Sequence, residues 1–220
     1  MFSKRLIEPE LMDHLPPPEA RENLADLVRI NARFGGHSVI RKALGAVAGR
    51  DESFTLLDVG SASGDAARRI QQEFPGARVT SLDCNVTNLE NAPYPKVLGD
   101  AFGLPFLPGS FDYVFSSLFL HHFEDARVIE LLRSFYSVAR RGVVMCDLER
   151  HILPYLFLPA TKHLFGWRRV TVHDGVISVR ASFRRHELAE LGRKAGIQSA
   201  SVRAHRPAFR ISFVARKNGA

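Results

Sequence analysis

The sequence is poor in cysteine and in long apolar runs, and each shortage excludes a class of protein. Its two cysteines, Cys84 and Cys146, lie far apart without neighbours of the metal-ligand type, so neither a disulfide framework nor a zinc site is expected. No apolar stretch approaches the roughly 18 residues of a membrane span, and the first residues lack the apolar run of a signal peptide. We therefore expect a cytoplasmic protein that holds no metal.

Length and composition indicate a single globular domain of the size of a catalytic domain. The chain has 220 residues, of which 45% are hydrophobic. A chain of this length can bury a substantial core, and this hydrophobic fraction argues against extended disorder.

The charge is unevenly distributed along the chain. The net charge of +7 divides into +2 over residues 1–50, −6 over residues 51–149 and +11 over residues 150–220. A basic face attracts nucleic acid or an anionic membrane surface, although an ordinary solvated face explains it equally well. No aromatic side chains alternate with these arginines as in an RNA-stacking platform. The pattern therefore favours peripheral membrane-surface contact over nucleic-acid recognition.

Strand and helix signals alternate along the chain, which predicts βαβ units and a parallel sheet. Apolar runs predict strands at 54–59, 78–82, 96–99 and 111–117, and a fifth at 143–147 that starts after Gly142. Helices are predicted at 64–74 and 124–139, with an unusually short one at 87–90. A helix at 185–195 precedes a closing strand pair at 199–204 and 209–215.

The most informative segment is the turn between the first predicted strand and its helix. It carries the pattern Asp58-x-Gly60-x-Ala62-x-Gly64, in which small residues let a ligand approach the backbone. A dinucleotide fingerprint needs glycine-like residues at the first, third and sixth positions, and the sixth is Asp65. The pattern resembles the first motif of the class I S-adenosylmethionine-dependent methyltransferases, with alanine replacing the middle glycine.

This resemblance implies a Rossmann-like sheet of seven strands with an antiparallel last strand, helices on both faces, and S-adenosylmethionine as cofactor. Asp83 ends strand two and would bind the ribose hydroxyls, unless it only caps a helix. Asp100 ends strand three and would receive the adenine amino group, unless it is a plain turn residue. The full set of predicted cofactor-binding residues is Asp58, Gly60, Ser61, Ala62, Gly64, Asp83, Cys84, Asp100, Ala101, Phe102 and Ser117.

Two histidines are candidates for proton removal from the acceptor. His121 follows strand four, at the sheet edge where ligands bind in open α/β folds, and imidazole titrates near neutral pH. The alternative is a histidine that caps or packs against the next helix, which is also our interpretation of His122. His173 is a second candidate, although adjacent residues such as His173 and Asp174 rarely hydrogen-bond productively. Asp147 and Glu149 alone would make a poor magnesium site.

The segment after strand five indicates the acceptor. Residues 149–182 begin with an aromatic and apolar stretch that corresponds, in the family, to a lid over the substrate pocket. An apolar lid implies a hydrophobic acceptor such as a phenol, polyketide or quinol. If these apolar side chains only pack the helices of the segment together, they say nothing about the acceptor. Arg180 could hold an acidic substrate group or form a surface salt bridge.

Residues 1–50 are predicted to form a helical cap, followed by the methyltransferase domain at 51–220 with its lid insertion at about 149–182. Asn31, Arg33 or His37 of the cap could touch the ligand, or serve only in capping and at the surface. The sequence thus predicts methyl transfer to an oxygen or carbon of a small hydrophobic acceptor. Because strand four lacks the Asn/Asp-Pro-Pro-aromatic motif, an RNA methyltransferase is the weaker alternative, together with a non-catalytic cofactor-binding relative.

Overall fold

A single seven-stranded sheet organises the molecule, of which the computed structural model describes residues 4–217. The strand order is β3-β2-β1-β4-β5-β7-β6, and β7 runs antiparallel to both β5 and β6 while the other strands are parallel. This confirms the predicted fold class. The strands are β1 (Phe54–Val59), β2 (Ala77–Asp83), β3 (Lys96–Leu98), β4 (Phe111–Ser117), β5 (Ala139–Leu148), β6 (Ser201–His205) and β7 (Arg210–Arg216).

Helices cover both faces of the sheet. They are α1 (Pro17–Arg33), α2 (Gly36–Leu44), α3 (Asp65–Glu73), α4 (Val86–Leu89), α5 (Asp125–Val138), α6 (Ile152–Phe165), α7 (Arg169–Ala181) and α8 (Arg185–Lys194). Short 3-10 turns occupy Leu11–His14, Ala101–Gly103 and Leu120–His122.

Alternate residues of the central strands supply two separate cores. In β1, Leu56 packs with α2 and α3 on one face, whereas Leu57 packs with α5 and α8 on the other. In β4, Phe115 and Val114 divide between the same two cores. Strands buried on both faces carry near-continuous apolar runs rather than alternating ones, which explains why these strands were recognisable in the sequence.

Strand β5 begins four residues earlier than the sequence pattern predicts. Arg140 and Arg141, which fall between the predicted helix at 124–139 and Gly142, both lie in the strand, and Arg140 Nε donates a hydrogen bond of 3.2 Å to Asp112 Oδ1. Gly142 does not precede the strand either. A Cβ at Gly142 would lie 2.3 Å from the carbonyl oxygen of Ala215, so the glycine allows close pairing with β7.

The two N-terminal helices pack in different places. Helix α2 contributes to the core beside α3, while α1 packs against α7, where Thr171 Oγ1 lies 2.8 Å from both Asn23 Oδ1 and Asp26 Oδ2. The division into a cap at 1–50 and a lid at about 149–182 stays a prediction. Within residues 4–217, no helix combines the length and the apolar character needed to cross a membrane.

Candidate active site

A cavity of about 620 Å³ opens at the carboxyl ends of the parallel strands. Its floor contains the turn after β1 and the ends of β2 and β4, and its walls come from the N-terminal segment, α1, α6 and α7. The apolar part of the lining includes Leu24, Leu27, Val28, Phe34, Phe119, Pro154, Phe157 and Leu158. The cavity therefore joins the predicted cofactor site to the predicted acceptor site.

The turn after β1 is fixed to the end of β2 by hydrogen bonds. The N–H groups of Gly60 and Ser61 donate to the carbonyl oxygen of Leu82 at 2.9 and 3.0 Å. Ala62 N–H donates to Asp83 Oδ2 at 2.9 Å. These bonds hold the turn rigid, so that its backbone forms part of the cavity floor.

The cavity is lined by three non-glycine residues whose φ is positive. Ala62 has φ +46°, Leu118 +54° and Phe209 +46°, a region that costs about 1–2 kcal/mol for an L-residue. Such strain accumulates at functional sites when the surrounding structure enforces it. Ala62 stands where the family motif has glycine, so the turn keeps its conformation despite the substitution.

Asp58 places a carboxylate on the cavity floor without a partner for one of its oxygens. Its side chain is buried, and Oδ2 accepts no hydrogen bond from any described residue. Burial, reinforced by the negative charges of Asp83 and Asp65, raises the pKa of Asp58 to about 8. A buried, unpaired carboxyl group facing a cavity is suited to a ligand that brings a positive charge.

Asp83 reaches the same floor from the end of β2. Its Oδ1 accepts hydrogen bonds from Asn85 N–H at 2.9 Å and from Asn88 Nδ2 at 3.4 Å, and the neighbouring Cys84 also lines the cavity. Each carboxylate oxygen has more than one acceptor direction. Asp83 can therefore shape the turn and still receive ligand hydroxyls.

His121 lines the cavity just after β4, held between two acids. Its Nδ1 is 2.6 Å from Asp147 Oδ1, and its Nε2 is 3.7 Å from Glu10 Oε1. The backbone N–H of His121 also donates to Asp147 Oδ2 at 3.2 Å. Asp147, near the end of β5, therefore fixes the imidazole with Nε2 directed toward Glu10 and the cavity.

The chain is similar to known methyltransferases. Residues 57–146 match the family model described as a methyltransferase domain. The chain is 32% identical over 116 residues to demethylmenaquinone methyltransferase of Thermotoga maritima, covering 50% of this chain and 47% of the relative. It is 31% identical over 116 residues to norreticuline-7-O-methyltransferase of Papaver somniferum, covering 51% and 31%. The matches thus span less than half the length of these curated relatives.

The fold agrees with that of solved methyltransferases. Human N-acetylserotonin methyltransferase, solved in complex with S-adenosylmethionine, aligns over 92% of this chain and 56% of its own, with a TM-score of 0.65 and 16% identity. Residues 57–146 therefore match a methyltransferase domain, and the chain has the fold of S-adenosylmethionine-dependent methyltransferases. The turn at 60–64 lies within the matched residues, and its role as the first motif of that family stays a prediction.

The predicted adenine-side residues of this methyltransferase domain lie outside the cavity. Asp100 is exposed and accepts a hydrogen bond of 2.9 Å from Phe102 N–H, which caps the turn at 101–103. Phe102 packs edge-to-face on Phe123, a cavity residue, with 5.1 Å between ring centroids. Gly64 and Ala101 are also absent from the lining, whereas Ser117 is present. The cofactor-binding role of each predicted residue stays a prediction.

The charge state of His121 is set by its surroundings. Burial lowers the pKa of His121, but the charge and hydrogen bond of Asp147, together with Glu10, outweigh burial and raise this pKa to about 9. The same ion pair holds the pKa of Asp147 below its usual value despite burial. In the ligand-free methyltransferase domain at neutral pH, His121 is therefore an imidazolium.

Glu10, His121 and His122 offer ligand atoms that all lie within 4.8 Å of one another, a spacing that could hold a metal ion. However, Glu10 Oε1 already accepts a hydrogen bond from Ser178 Oγ. A protonated imidazole is also no metal ligand, because ligation needs the neutral form. The absence of a metal stays a prediction.

His173 is placed differently from His121. Its side chain is 47% exposed and does not belong to the cavity lining among the described residues. His173 Nδ1 does lie 2.9 Å from Asp174 Oδ1, but the imidazole lies outside the cavity lining, so a catalytic role for this pair stays a prediction. Asp174 also accepts hydrogen bonds of 2.9 Å from Leu11 N–H and Met12 N–H. Asp174 thus anchors the N-terminal segment to α7.

The other candidate ligand contacts divide between cavity and surface. Asn31 lines the cavity, whereas His37 Nε2 is 2.9 Å from Asp65 Oδ2 beside it. Arg33 is not among the lining residues within 4–217. Arg180 pairs with Glu8 at 3.5 Å, which supports the surface salt bridge rather than a substrate contact.

Two cavity residues and one residue behind the cavity were missed from the sequence. Glu10 stands alone in a segment without periodicity, so nothing marked it as a site residue. Asp147, which holds His121 from behind, was considered only as a metal ligand. Arg210 carried a usable signal, because it is a charged residue near the start of the apolar strand predicted at 209–215.

Proposed function

We propose that this domain transfers a methyl group from S-adenosylmethionine to an oxygen or carbon of a small hydrophobic acceptor. The observation that carries the proposal is the continuous cavity of about 620 Å³ that joins Asp58 and Asp83 to His121 beneath apolar side chains of α1, α6 and α7. The curated relatives are methyltransferases by name, which supports the reaction class.

The residues present fit the cofactor. The buried carboxyl group of Asp58, which lines the cavity, is suited to the ammonium of the methionine end, and Asp83 is suited to the ribose hydroxyls. S-adenosylmethionine supplies an electrophilic methyl group on a sulfonium. The protein needs mainly to align an acceptor with that group, since proximity and orientation supply much of the acceleration.

His121 is proposed to act on the acceptor at the other end of the cavity. In its neutral form it would remove a proton from the acceptor hydroxyl or acidic carbon, with Asp147 fixing the tautomer and orientation. With a pKa of about 9, only about 1% of His121 is neutral at pH 7. As an imidazolium it would instead hold an acceptor that is already ionised.

The first test is calorimetric titration with S-adenosylhomocysteine, run beside NADH. We expect binding of the former alone, weakened at least tenfold (about 1.4 kcal/mol) in Asp83→Ala. Exposed Asp51→Ala serves as the matched control and should bind normally. If S-adenosylhomocysteine fails to bind, the cofactor assignment fails with it.

The acceptor is sought with a panel of phenols, quinols and small polyketides, by following transfer of labelled methyl groups. Methylation that requires His121 and the apolar wall would support the proposal.

Transfer of the methyl group to RNA, lost at high salt, would favour an RNA methyltransferase instead. Against RNA, much of the C-terminal positive charge is used in ion pairs, such as Arg206 with Glu149 at 2.9 Å and Arg168 with Asp26 at 3.2 Å.

Peripheral membrane contact is a separate part of the proposal. Helix α6 exposes Leu153, Leu156 and Leu164, and the exposed Arg169 follows at the start of α7. Apolar side chains beside a cation are suited to an anionic lipid interface. Co-sedimentation with anionic vesicles, but not with neutral ones, is expected. Leu156→Glu should abolish it.

A further inference from the structure

Arg210 is a buried cation at the edge of the cavity. It opens β7 opposite Leu148 of β5, and because β7 is antiparallel, this position lies at the carboxyl edge of the parallel strands. Its residue surface is only 6% exposed, and it belongs to the cavity lining.

Arg210 has no carboxylate partner within 4.0 Å among the side chains that the structure describes. Its hydrogen bond there runs from Nη2 to Asn31 Oδ1 at 3.0 Å. The nearby acids are engaged elsewhere: Asp147 with His121 at 2.6 Å, and Glu149 with Arg206 at 2.9 Å. A buried charge with one neutral partner is costly to the fold.

The Arg210 guanidinium keeps its charge despite this burial. Burial lowers its pKa to about 10, against the opposing effect of Asp147, so it remains protonated at neutral pH. A guanidinium has five N–H donors in a planar fork, which exceeds what the amide oxygen of Asn31 can accept. The remaining donors can be reached from the cavity that the side chain lines.

We propose that Arg210, oriented by Asn31, binds a carboxylate inside the cavity. A planar guanidinium pairs with a carboxylate through two parallel hydrogen bonds, and such a ligand would compensate the buried charge. The carboxylate has two sources, the amino-acid end of the cofactor or an acidic group on the acceptor. This inference rests on the proposed function and deepens it.

The variant for the test is Arg210→Met, which keeps most of the side-chain length and removes the charge. Arg210→Lys keeps the charge without the fork and serves as the second variant. Exposed Arg203→Met on β6 is the matched control. Because the guanidinium is uncompensated in the ligand-free protein, Arg210→Met should unfold at the same temperature as the wild type or higher.

The cofactor arm compares S-adenosylhomocysteine with 5′-methylthioadenosine, which lacks the amino acid. A loss of at least tenfold for the former and less than twofold for the latter, in Arg210→Met, assigns the carboxylate to the cofactor. The acceptor arm uses thermal shifts with benzoate, 4-hydroxybenzoate and decanoate, each paired with its neutral amide. If an acid stabilises the wild type and Arg203→Met, but not Arg210→Met, the carboxylate that Arg210 binds belongs to the acceptor.

The proposal is overturned if Arg210→Met binds S-adenosylhomocysteine like the wild type and no acid stabilises the wild type more than its amide does. It is also overturned if Arg210→Met and Arg210→Lys both unfold at a much lower temperature, because the guanidinium would then be a structural contact. If the wild type does not bind S-adenosylhomocysteine at all, the proposed function fails, while the acid and amide arm still reports on Arg210.

Discussion

Binding of S-adenosylhomocysteine should release a proton from Asp58. In the ligand-free domain the pKa of Asp58 is about 8, so about 0.9 of these carboxyl groups are protonated at pH 7. An ammonium about 4 Å from the carboxylate contributes about 4 kcal/mol at an effective dielectric constant of 20. That energy lowers the pKa by about three units, and the bound state is ionised at neutral pH.

The affinity should therefore rise about tenfold from pH 6 to pH 7 and level off above pH 8. Titration calorimetry in two buffers with different ionisation enthalpies, at pH 7, measures the proton count directly. We expect release of about 0.9 proton per ligand bound in the wild type. Asp58→Asn should bind more weakly, show no proton release and lose the pH dependence.

A ligand-free control separates this linkage from a general effect of the variant. Because the folded-state pKa of Asp58 lies above the unfolded value, the folded protein binds more protons between pH 4 and pH 8, and the free energy of unfolding falls as pH rises through this window. Asp58→Asn should flatten that slope. Equal calorimetric enthalpies in the two buffers would refute the reasoning, since the bound ligand would then leave Asp58 protonated.

Other perturbations test the remaining parts of the site. With any acceptor that is methylated, kcat/KM should rise about tenfold per pH unit toward pH 9, as expected for a base with the raised pKa of His121. The variant His121→Gln should flatten this pH profile. A profile that stays unchanged in this variant would exclude His121 as the base. Glu10→Gln should move the same profile to lower pH, because it removes a negative charge 3.7 Å from His121 Nε2. Ala62→Gly should raise the free energy of unfolding in urea by up to about 1 kcal/mol by relieving its positive φ, whereas Ala77→Gly in β2 should lower it. The purified protein should contain no stoichiometric metal by elemental mass spectrometry, and a full equivalent of zinc or manganese would contradict the protonated state of His121.

The fold was predictable because its determinants are local. Leu56, Leu57 and their neighbours form a run buried on both faces, and the small residues of the following turn leave little choice of backbone conformation. The boundary error at β5 has a tertiary cause. Arg140 and Arg141 indicate a loop by composition, but ion pairs with Asp112 and Glu52 satisfy their charges at the end of a strand.

The acceptor end was less predictable because residues far apart in the chain build it. Glu10 reaches His121 across more than a hundred residues, and neither the segment around Glu10 nor its spacing marks a site. Asp147 was visible at the end of a strand, but its pairing with His121 depends on the three-dimensional arrangement of β4 and β5. Sequence reasoning therefore found the cofactor turn more completely than the groups that would handle the acceptor.

The charges of the cavity are separated in a way that suits the proposed reaction. The acids Asp58 and Asp83 lie at the ends of β1 and β2, where the cofactor is proposed to bind, whereas the cations of His121 and Arg210 lie nearer β5. Transfer of a methyl group from a sulfonium to an ionised acceptor consumes one positive and one negative charge. Such a reaction proceeds more readily away from water, because solvation favours the charged reactants over a transition state in which the charges have begun to cancel. The apolar walls from α1 and α6 would supply that environment, while the fixed ions at the two ends would hold the reactants before their charges are lost.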